Sequence, residues 1–207
     1  MGKRIGQIAL LFLYGSAYTH LAVSFNRMLS IVFPLRYFMM FKQRKSTALL
    51  VVVWLCAFIE IVPYFWNDQC YFIYEYEVAM WTFAKTQCGE FFGFYFDFLP
   101  SISIVVMMSI MDLIALIQLS KAQKVQSWKV KPIKLHRLSE MIIKLIGRSL
   151  CQSIPFLIAI LCFHVVSRYA DSDWSRFFCM TFSWVSLHTI DGMIIDFFHT
   201  RQSVFKL

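Results

Sequence analysis

The stretch Ser24–Tyr37, S-F-N-R-M-L-S-I-V-F-P-L-R-Y, closes an apolar run that begins at Ile8. It carries one arginine within the run, Arg27, and Pro34 follows the last apolar residues. A proline here ends or bends a helix, because its ring removes a backbone donor and clashes with the preceding turn. An arginine near the end of a membrane helix can reach lipid head groups while its stem stays in the apolar layer. The stretch therefore predicts the inner end of a membrane helix that continues into a basic loop.

The composition of the chain favours a membrane protein. Hydrophobic residues make up 59% of the 207 residues and charged residues 15%, whereas soluble domains have about 45–50% and about 25%. The formal net charge of +8 would also suit a protein that binds nucleic acid. However, the positive residues lie between the apolar runs, which is the pattern that the positive-inside rule and anionic inner-leaflet lipids select. We therefore expect a lipid bilayer, and not nucleic acid, around this chain.

Five apolar runs are long enough to cross a bilayer, which requires roughly 20 residues. They lie near residues 6–31, 47–66, 92–119, 139–166 and 177–198. No alternating strand pattern appears, and backbone groups in hydrocarbon need partners within their own segment, so we expect helices. The predicted fold is all-α, a polytopic transmembrane helix bundle that forms a single domain over residues 1–207.

Basic residues in the connecting loops predict the orientation of the bundle. The loops after the first and third spans contain ten of them: Arg36, Lys42, Arg44, Lys45, Lys121, Lys124, Lys129, Lys131, Lys134 and Arg137. The alternate loops are poorer in positive charge and contain most of the acidic residues found outside the spans. We therefore expect the basic loops in the cytoplasm, the N-terminus outside and the C-terminus inside. Lys3 and Arg4 would then lie on the outer side, against the rule.

Several motifs, in their order and spacing, resemble those of a known receptor family. Asn26-Arg27-Met28 followed by Pro34-Leu35-Arg36-Tyr37 is similar to the inner end of the third helix and the second intracellular loop of rhodopsin-like G-protein-coupled receptors. The whole set resembles the nematode serpentine chemoreceptors of class x, the Srx family, over nearly all of the chain. The other residues that carry the resemblance are Tyr18, His20, the segment 41–47, Trp54, Cys70, Cys88, Trp184, His188, Asp191 and Gly192.

The resemblance implies that the five spans correspond to helices three to seven of a seven-helix receptor. The first two helices would then be absent, and the chain would be a fragment or an incomplete gene product. The resemblance also implies a small extracellular ligand and a heterotrimeric G protein as partners. The expected location is the plasma membrane, in sensory cilia. The sequence identifies neither the ligand nor the G protein.

The resemblance makes Arg27 the arginine that contacts the G protein when the bundle opens, although a lipid anchor is the alternative. The expected coupling residues are Asn26, Arg27, Pro34, Leu35, Tyr37, Lys144 and Arg148. The last two are four residues apart and share one helix face. That face either receives the G protein or binds lipid phosphates.

Ionisable and kink-forming residues inside the spans are candidates for a switch, because a membrane-embedded charge costs a few kcal/mol or more without a partner. By resemblance, Asp191 and Gly192 occupy the place of an asparagine-proline motif, and glycine permits bending without enforcing it. The expected polar network and helix switch comprises Asp112, Pro155, Trp184, His188, Asp191 and Gly192. Glu60 and Asp97 fall nearer the outer ends of their spans, where carboxylates can reach water.

Cys70 and Cys88 lie in the predicted outer loop, on the oxidising side of the membrane where disulfides persist. They either pair with each other, which would stabilise the loop by about 3 kcal/mol, or one of them bridges to the top of the first span, as in many rhodopsin-like receptors. The absence of any cysteine before Cys56 favours the Cys70–Cys88 pair. The other cysteines are expected to be small apolar residues of the spans.

Sequence motifs of enzymes are missing. The chain has no glycine-rich phosphate loop, no H-E-x-x-H and no G-x-S-x-G, and no Cys/His spacing typical of zinc. We therefore expect no enzyme activity, no cofactor and no metal site. The expected function is a G-protein-coupled chemosensory receptor, or a fragment of one. The alternatives are a transporter or another multi-span membrane protein, and a receptor remnant that does not signal.

Overall fold

The structure, a computed structural model, describes residues 2–34, 36–37, 43–66, 69–127, 147 and 151–204. The helices and strands discussed below are α1 (Gly2–Val32), α2 (Gln43–Ile61), α3 (Pro63–Trp66), β1 (Phe72–Glu75), β2 (Met80–Phe83), α4 (Gln87–Phe92), α5 (Leu99–Ser127), α6 (residues 151–164), α7 (Asp173–Phe177) and α8 (Ser183–Val204). A π-helical segment, Gly93–Phe98, joins α4 to α5, and another, Phe178–Phe182, joins α7 to α8. A 3₁₀ turn, Val166–Tyr169, follows α6.

Helices occupy all five predicted spans, and the all-α prediction is confirmed apart from one short hairpin. α6 covers only part of the predicted span 139–166, because most of residues 139–150 lie outside the described residues. Four helical stretches in the described part are long and apolar enough to cross a membrane: Arg4–Val32, Arg44–Phe65, Gln87–Lys121 and Cys151–Tyr169. The helix formed by α7 and α8 is not among these four, and it carries Asp191 and Asp196. The count of five spans is therefore approximate.

The first helix lies at the centre of the bundle. α1 packs against α2, α5 and β1, so two apolar cores form on its two sides. One core joins α1 to α5, α6 and α8 through Ala17, Ile104, Val105, Met108, Phe156, Ala159, Ile160 and Leu187. The other joins α1 to α2, α3 and β1 through Leu10, Tyr14, Ala57, Ile61, Tyr64 and Phe72. α2, by contrast, presents large apolar side chains outward, including Leu50, Val51, Val52, Leu55, Phe58 and Ile59, as expected for a helix in contact with lipid.

The segment between α3 and α4 forms an antiparallel β-hairpin over one end of the bundle. Phe72 pairs with Phe83 and Glu75 with Met80 in its register. A disulfide between Cys70 and Cys88 ties the start of the hairpin to α4, which confirms the pairing that the sequence favoured. Phe72 is buried, and its ring lies 6.2 Å from that of Phe163 and 6.1 Å from that of Trp184. The hairpin therefore covers one end of the bundle and packs an aromatic side chain against the helices beneath it.

Gly6 allows α1 to approach the hairpin at backbone distance. A methyl group at this position would overlap the carbonyl oxygen of Phe72, and a backbone atom cannot move aside as a flexible side chain can. Gly192 on α8 differs, because a methyl group there would meet nothing within 4 Å. The close contact at Gly6 is thus a requirement of the fold, whereas the contact surface around Gly192 is open.

We expect Gly6→Ala to lower the thermal unfolding midpoint of the purified chain in detergent, because overpacking of this kind costs about 1–3 kcal/mol. Gly192→Ala is the matched control, and it should leave the midpoint unchanged or raise it, since alanine is the better helix former by about 0.5–1 kcal/mol. Equal midpoints for the wild type and Gly6→Ala would contradict the close approach of α1 to β1.

Candidate functional site

An ion pair connects α1 to α5 near the end of the bundle opposite the hairpin. Arg27 Nη1 lies 3.6 Å from Asp112 Oδ1, and the two side chains are 13% and 17% exposed. Because two charges removed from water are tolerated only when they are paired, the contact holds both side chains inside the bundle. The structure thus brings together a residue predicted for coupling and a residue predicted for the polar network.

Asp191 on α8 joins three helices through its carboxylate. His20 Nε2 on α1 lies 2.8 Å from Asp191 Oδ2, and Gln152 Nε2 on α6 donates to Asp191 Oδ1 at 3.2 Å. Both carboxylate oxygens therefore have partners from different helices. His20 and Gln152 are seen as partners only once the helices are packed, because His20 lies 171 residues from Asp191 and Gln152 lies 39 residues from it.

A cleft with several polar lining groups lies between α1, α5, α6 and α8. We call it the central cleft. It contains both acidic groups just described, together with serine and histidine side chains. Its lining residues are Leu13, Ser16, Ala17, His20, Ser24, Met108, Asp112, Gln152, Ser153, Phe156, Leu187, His188 and Asp191. We call Asp191 and its partners His20 and Gln152 the Asp191 cluster. The central cleft is lined both by this cluster and by Asp112, the partner of Arg27.

A second, mainly apolar cavity lies beneath the hairpin, and we call it the outer cavity. Its lining residues are Leu10, Leu13, Phe72, Asp97, Ser101, Phe156, Ala159, Ile160, Phe163, His164, Trp184 and Leu187. Leu13, Phe156 and Leu187 also line the central cleft. The two spaces therefore share a wall.

Asp97 and His164 form a buried pair in the outer cavity. His164 Nε2 lies 3.0 Å from Asp97 Oδ2, and the side chains are 11% and 7% exposed. The expectation that Asp97 reaches water is therefore wrong, because α6 covers this carboxylate with an imidazole. Sequence reasoning missed the pair, although an aspartate within the aromatic run F-Y-F-D-F and a histidine in another apolar run were its available signal.

Glu60 is also bonded within the bundle. The Tyr18 hydroxyl on α1 donates to Glu60 Oε2 on α2 at 2.8 Å, and Glu60 is half-buried. The expectation that Glu60 simply reaches water therefore omitted its helix-to-helix role. Among the residues that the structure describes, no group of three His, Cys, Asp or Glu side chains is arranged to hold a metal ion.

The remaining residues that the sequence predicted for the switch or for coupling lie at both ends of the bundle. Trp184 packs its ring 5.9 Å from that of His188, below the hairpin, whereas Gly192 lies on an exposed part of the continuous helix α8. Near the other end, Asn26 is half-buried on α1, and the Tyr37 backbone N–H donates to the Phe33 carbonyl. Pro34 is exposed and Pro155 is half-buried in α6. Leu35, Lys144 and Arg148 lie outside the described residues.

The family model described as "Serpentine type 7TM GPCR chemoreceptor Srx" matches residues 1–199. Serpentine receptor class X 45 of Caenorhabditis elegans is 21% identical over 97% of this chain and 59% of its own length. Serpentine receptor class X-43 of the same organism is 27% identical over 86% of this chain and 56% of its own length. The chain thus spans a little over half the length of these relatives. The resemblance inferred from the motifs is confirmed.

The contact between His20 and Asp191 predicts non-additive effects on stability. His20→Ala and Asp191→Ala should each lower the thermal unfolding midpoint in detergent, and the double variant should lose less than the sum of the two, by about 0.5–3 kcal/mol. Thr189→Ala is the control partner, because the Thr189 hydroxyl is exposed and donates only to the Val185 carbonyl of its own helix. The stability lost by the double variant His20→Ala/Thr189→Ala should equal the sum of the losses of the two single variants. Additivity of His20→Ala with Asp191→Ala would show that the contact contributes nothing.

Proposed function

Because the chain belongs to the Srx family of serpentine 7TM GPCR chemoreceptors, we propose that it is a chemosensory receptor that binds a small extracellular ligand and signals to a heterotrimeric G protein. The ligand acts at the hairpin end of the bundle, and the G protein contacts the end that carries Arg27. The coupling surface comprises Asn26, Arg27, Pro34, Leu35, Tyr37, Lys144 and Arg148.

The ion pair between Arg27 and Asp112 is the single observation that carries this proposal. The 3.6 Å contact holds the guanidinium against α5, so in this packing the arginine is turned towards a neighbouring helix. A packing in which α1 and α5 separate would release the guanidinium towards the cytoplasm. A membrane-embedded arginine with an acidic partner on another helix suits a switch better than a lipid anchor, because an anchor extends towards phosphate head groups.

The Asp191 cluster supports a route from the ligand end to the Arg27 end. Its hydrogen bonds tie α8 to α1 and α6, and the central cleft lies between this cluster and Asp112. A ligand shifts the equilibrium between two packings only as far as it binds one of them better. In this proposal the ligand favours the packing in which these interhelical contacts rearrange, with Pro155, Trp184, His188 and Gly192 as further members of the switch.

The proposed location is the plasma membrane of sensory cilia, with the N-terminus outside and the C-terminus inside. Gly6, near the N-terminal end of α1, contacts Phe72 of the hairpin. This contact supports placing the N-terminus and the hairpin on the same side of the membrane. Four exposed basic residues lie at the end of the bundle opposite the hairpin. Arg36 follows the C-terminal end of α1, Arg44 and Lys45 lie in the first turn of α2, and Lys121 lies near the C-terminal end of α5. The positive-inside rule assigns that side to the cytoplasm.

We expect Arg27→Ala to abolish G-protein activation by this chain in cells, because it removes the group that contacts the G protein. Asp112→Asn should raise ligand-independent activation, since it removes the charge that holds Arg27 in place. Both can be measured by energy transfer between labelled G-protein subunits, with surface expression measured in parallel. Arg176→Ala is the control, because Arg176 is an exposed arginine beside Asp173 at the other end of the bundle.

Unchanged activation by Arg27→Ala at normal surface expression would make Arg27 a membrane anchor only. A fall in ligand-independent activation with Asp112→Asn would show that the ion pair does not restrain the receptor.

Topology can be tested separately by labelling with a membrane-impermeant maleimide. Glu77, in the turn of the hairpin, and Lys121, in α5, are both exposed. We expect Glu77→Cys to be labelled on intact cells and Lys121→Cys only after permeabilisation, with the unmodified chain as the baseline for its own cysteines. The opposite pattern would reverse the proposed orientation and remove Arg27 from the cytoplasmic side.

A further inference from the structure

The outer cavity is lined by two partly or fully buried polar side chains besides the Asp97–His164 pair, and one of them lacks a hydrogen-bond partner within the described part of the chain. Trp184 lines this cavity, and its indole Nε1 is buried with no acceptor among the described residues. Ser101 is 7% exposed and lines the same cavity, so its hydroxyl is a second polar group in the cavity wall. A buried donor without a partner costs about 1–3 kcal/mol. The indole N–H would therefore gain from a bound molecule that offers an acceptor.

The rest of the cavity wall is almost entirely apolar. Phe72 of the hairpin, Phe156 and Phe163 of α6 and the ring of Trp184 contribute aromatic surface. Such a wall favours an apolar body, since burial of apolar surface contributes about 25 cal/mol per Å². The combination of apolar walls and a few placed polar groups is typical of small-molecule sites.

The carboxylate in the cavity already has a hydrogen-bond partner. Asp97 is within 3.0 Å of His164, so the carboxylate has a partner and does not require a cation from a ligand. A charged ligand would lose its hydration in this apolar space while competing with an existing pair. The cavity therefore disfavours both amines and carboxylates.

We propose that the outer cavity binds an uncharged small molecule that has an aromatic or aliphatic body and a single hydroxyl or carbonyl group. The oxygen of that group accepts a hydrogen bond from Trp184 Nε1 and also bonds to the Ser101 hydroxyl. This inference rests on the proposed chemoreceptor function, because it names the class of ligand that the receptor recognises.

Four probes with one shared body test the class of ligand. Phenethyl alcohol, phenethylamine, phenylacetate and ethylbenzene, each carrying a fluorine on the ring, can be titrated by fluorine NMR against the chain in lipid nanodiscs, with empty nanodiscs as the baseline for partitioning. We expect the alcohol to bind about tenfold tighter than each of the other three, which corresponds to about 1.4 kcal/mol.

Three variants assign the polar contacts. Ser101→Ala and Trp184→Phe should each weaken binding of the alcohol about fivefold. Ser101→Ala should leave binding of ethylbenzene unchanged, and Trp184→Phe should weaken binding of ethylbenzene less than binding of the alcohol, because it also removes part of the apolar wall. Ser103→Ala is the matched control, because Ser103 is an exposed serine on the same helix whose hydroxyl donates to the Leu99 carbonyl. It should bind all four probes as the wild type does. Circular dichroism of each variant establishes that it is folded, and either cavity variant suffices if the other fails to fold.

Tighter binding of the amine or the carboxylate, or alcohol binding that is unchanged in the folded cavity variants, would overturn the inference. So would alcohol binding no stronger than partitioning into empty nanodiscs. The effects of Arg27→Ala and Asp112→Asn on G-protein activation do not depend on these titrations. Selective binding of the alcohol without any Arg27-dependent signalling would therefore support the ligand class and contradict the receptor function.

Discussion

The polar contacts of the central helix determine how the bundle is assembled. Four side chains of α1 bond to four other elements, and in an apolar medium such groups must find partners within the protein. The contacts run from Gln7 to the Tyr64 carbonyl on α3, from Tyr18 to Glu60 on α2, from His20 to Asp191 on α8 and from Arg27 to Asp112 on α5. They lie on different faces and at different depths of one helix. Rotation or sliding of α1 would therefore break several of them at once.

The hairpin end of the bundle is constrained in a different way. The Cys70–Cys88 disulfide joins the hairpin to α4, and the Thr181 hydroxyl accepts from the Trp81 backbone N–H at 3.3 Å and donates to the Ala79 carbonyl at 3.0 Å. Thr181 belongs to the π-helical segment that leads into α8, and Asp97 belongs to the other π-helical segment. Such segments occur frequently at functional sites. Here Asp97 lines the outer cavity, and Thr181 holds the hairpin whose Phe72 lines the same cavity.

Much of the fold was predictable from local sequence. Long apolar runs identify membrane helices because each must satisfy its own backbone in hydrocarbon, and all five runs contain helices in the structure. The disulfide was predictable because few cysteines compete for pairing in the outer loop. The span of α8 is less apolar than the other four, since it carries Asp191 and Asp196, and it is not among the four stretches of the described residues that are apolar enough to cross a membrane. Residue types also singled out Arg27, Asp112 and Asp191 as special, because charges within apolar runs require partners.

The amino-acid sequence alone identifies this chain as an α-helical membrane protein of the Srx type and shows which polar residues lie within its apolar runs. Which of these residues meet becomes visible only when the helices are packed together. The Asp97–His164 pair joins residues 67 positions apart and the His20–Asp191 pair joins residues 171 apart, and no local pattern encodes such a match. The reason is physical: hydrophobicity depends on each residue and its neighbours along the helix, whereas a hydrogen bond between helices depends on the rotation and offset of both, which only the packed bundle sets.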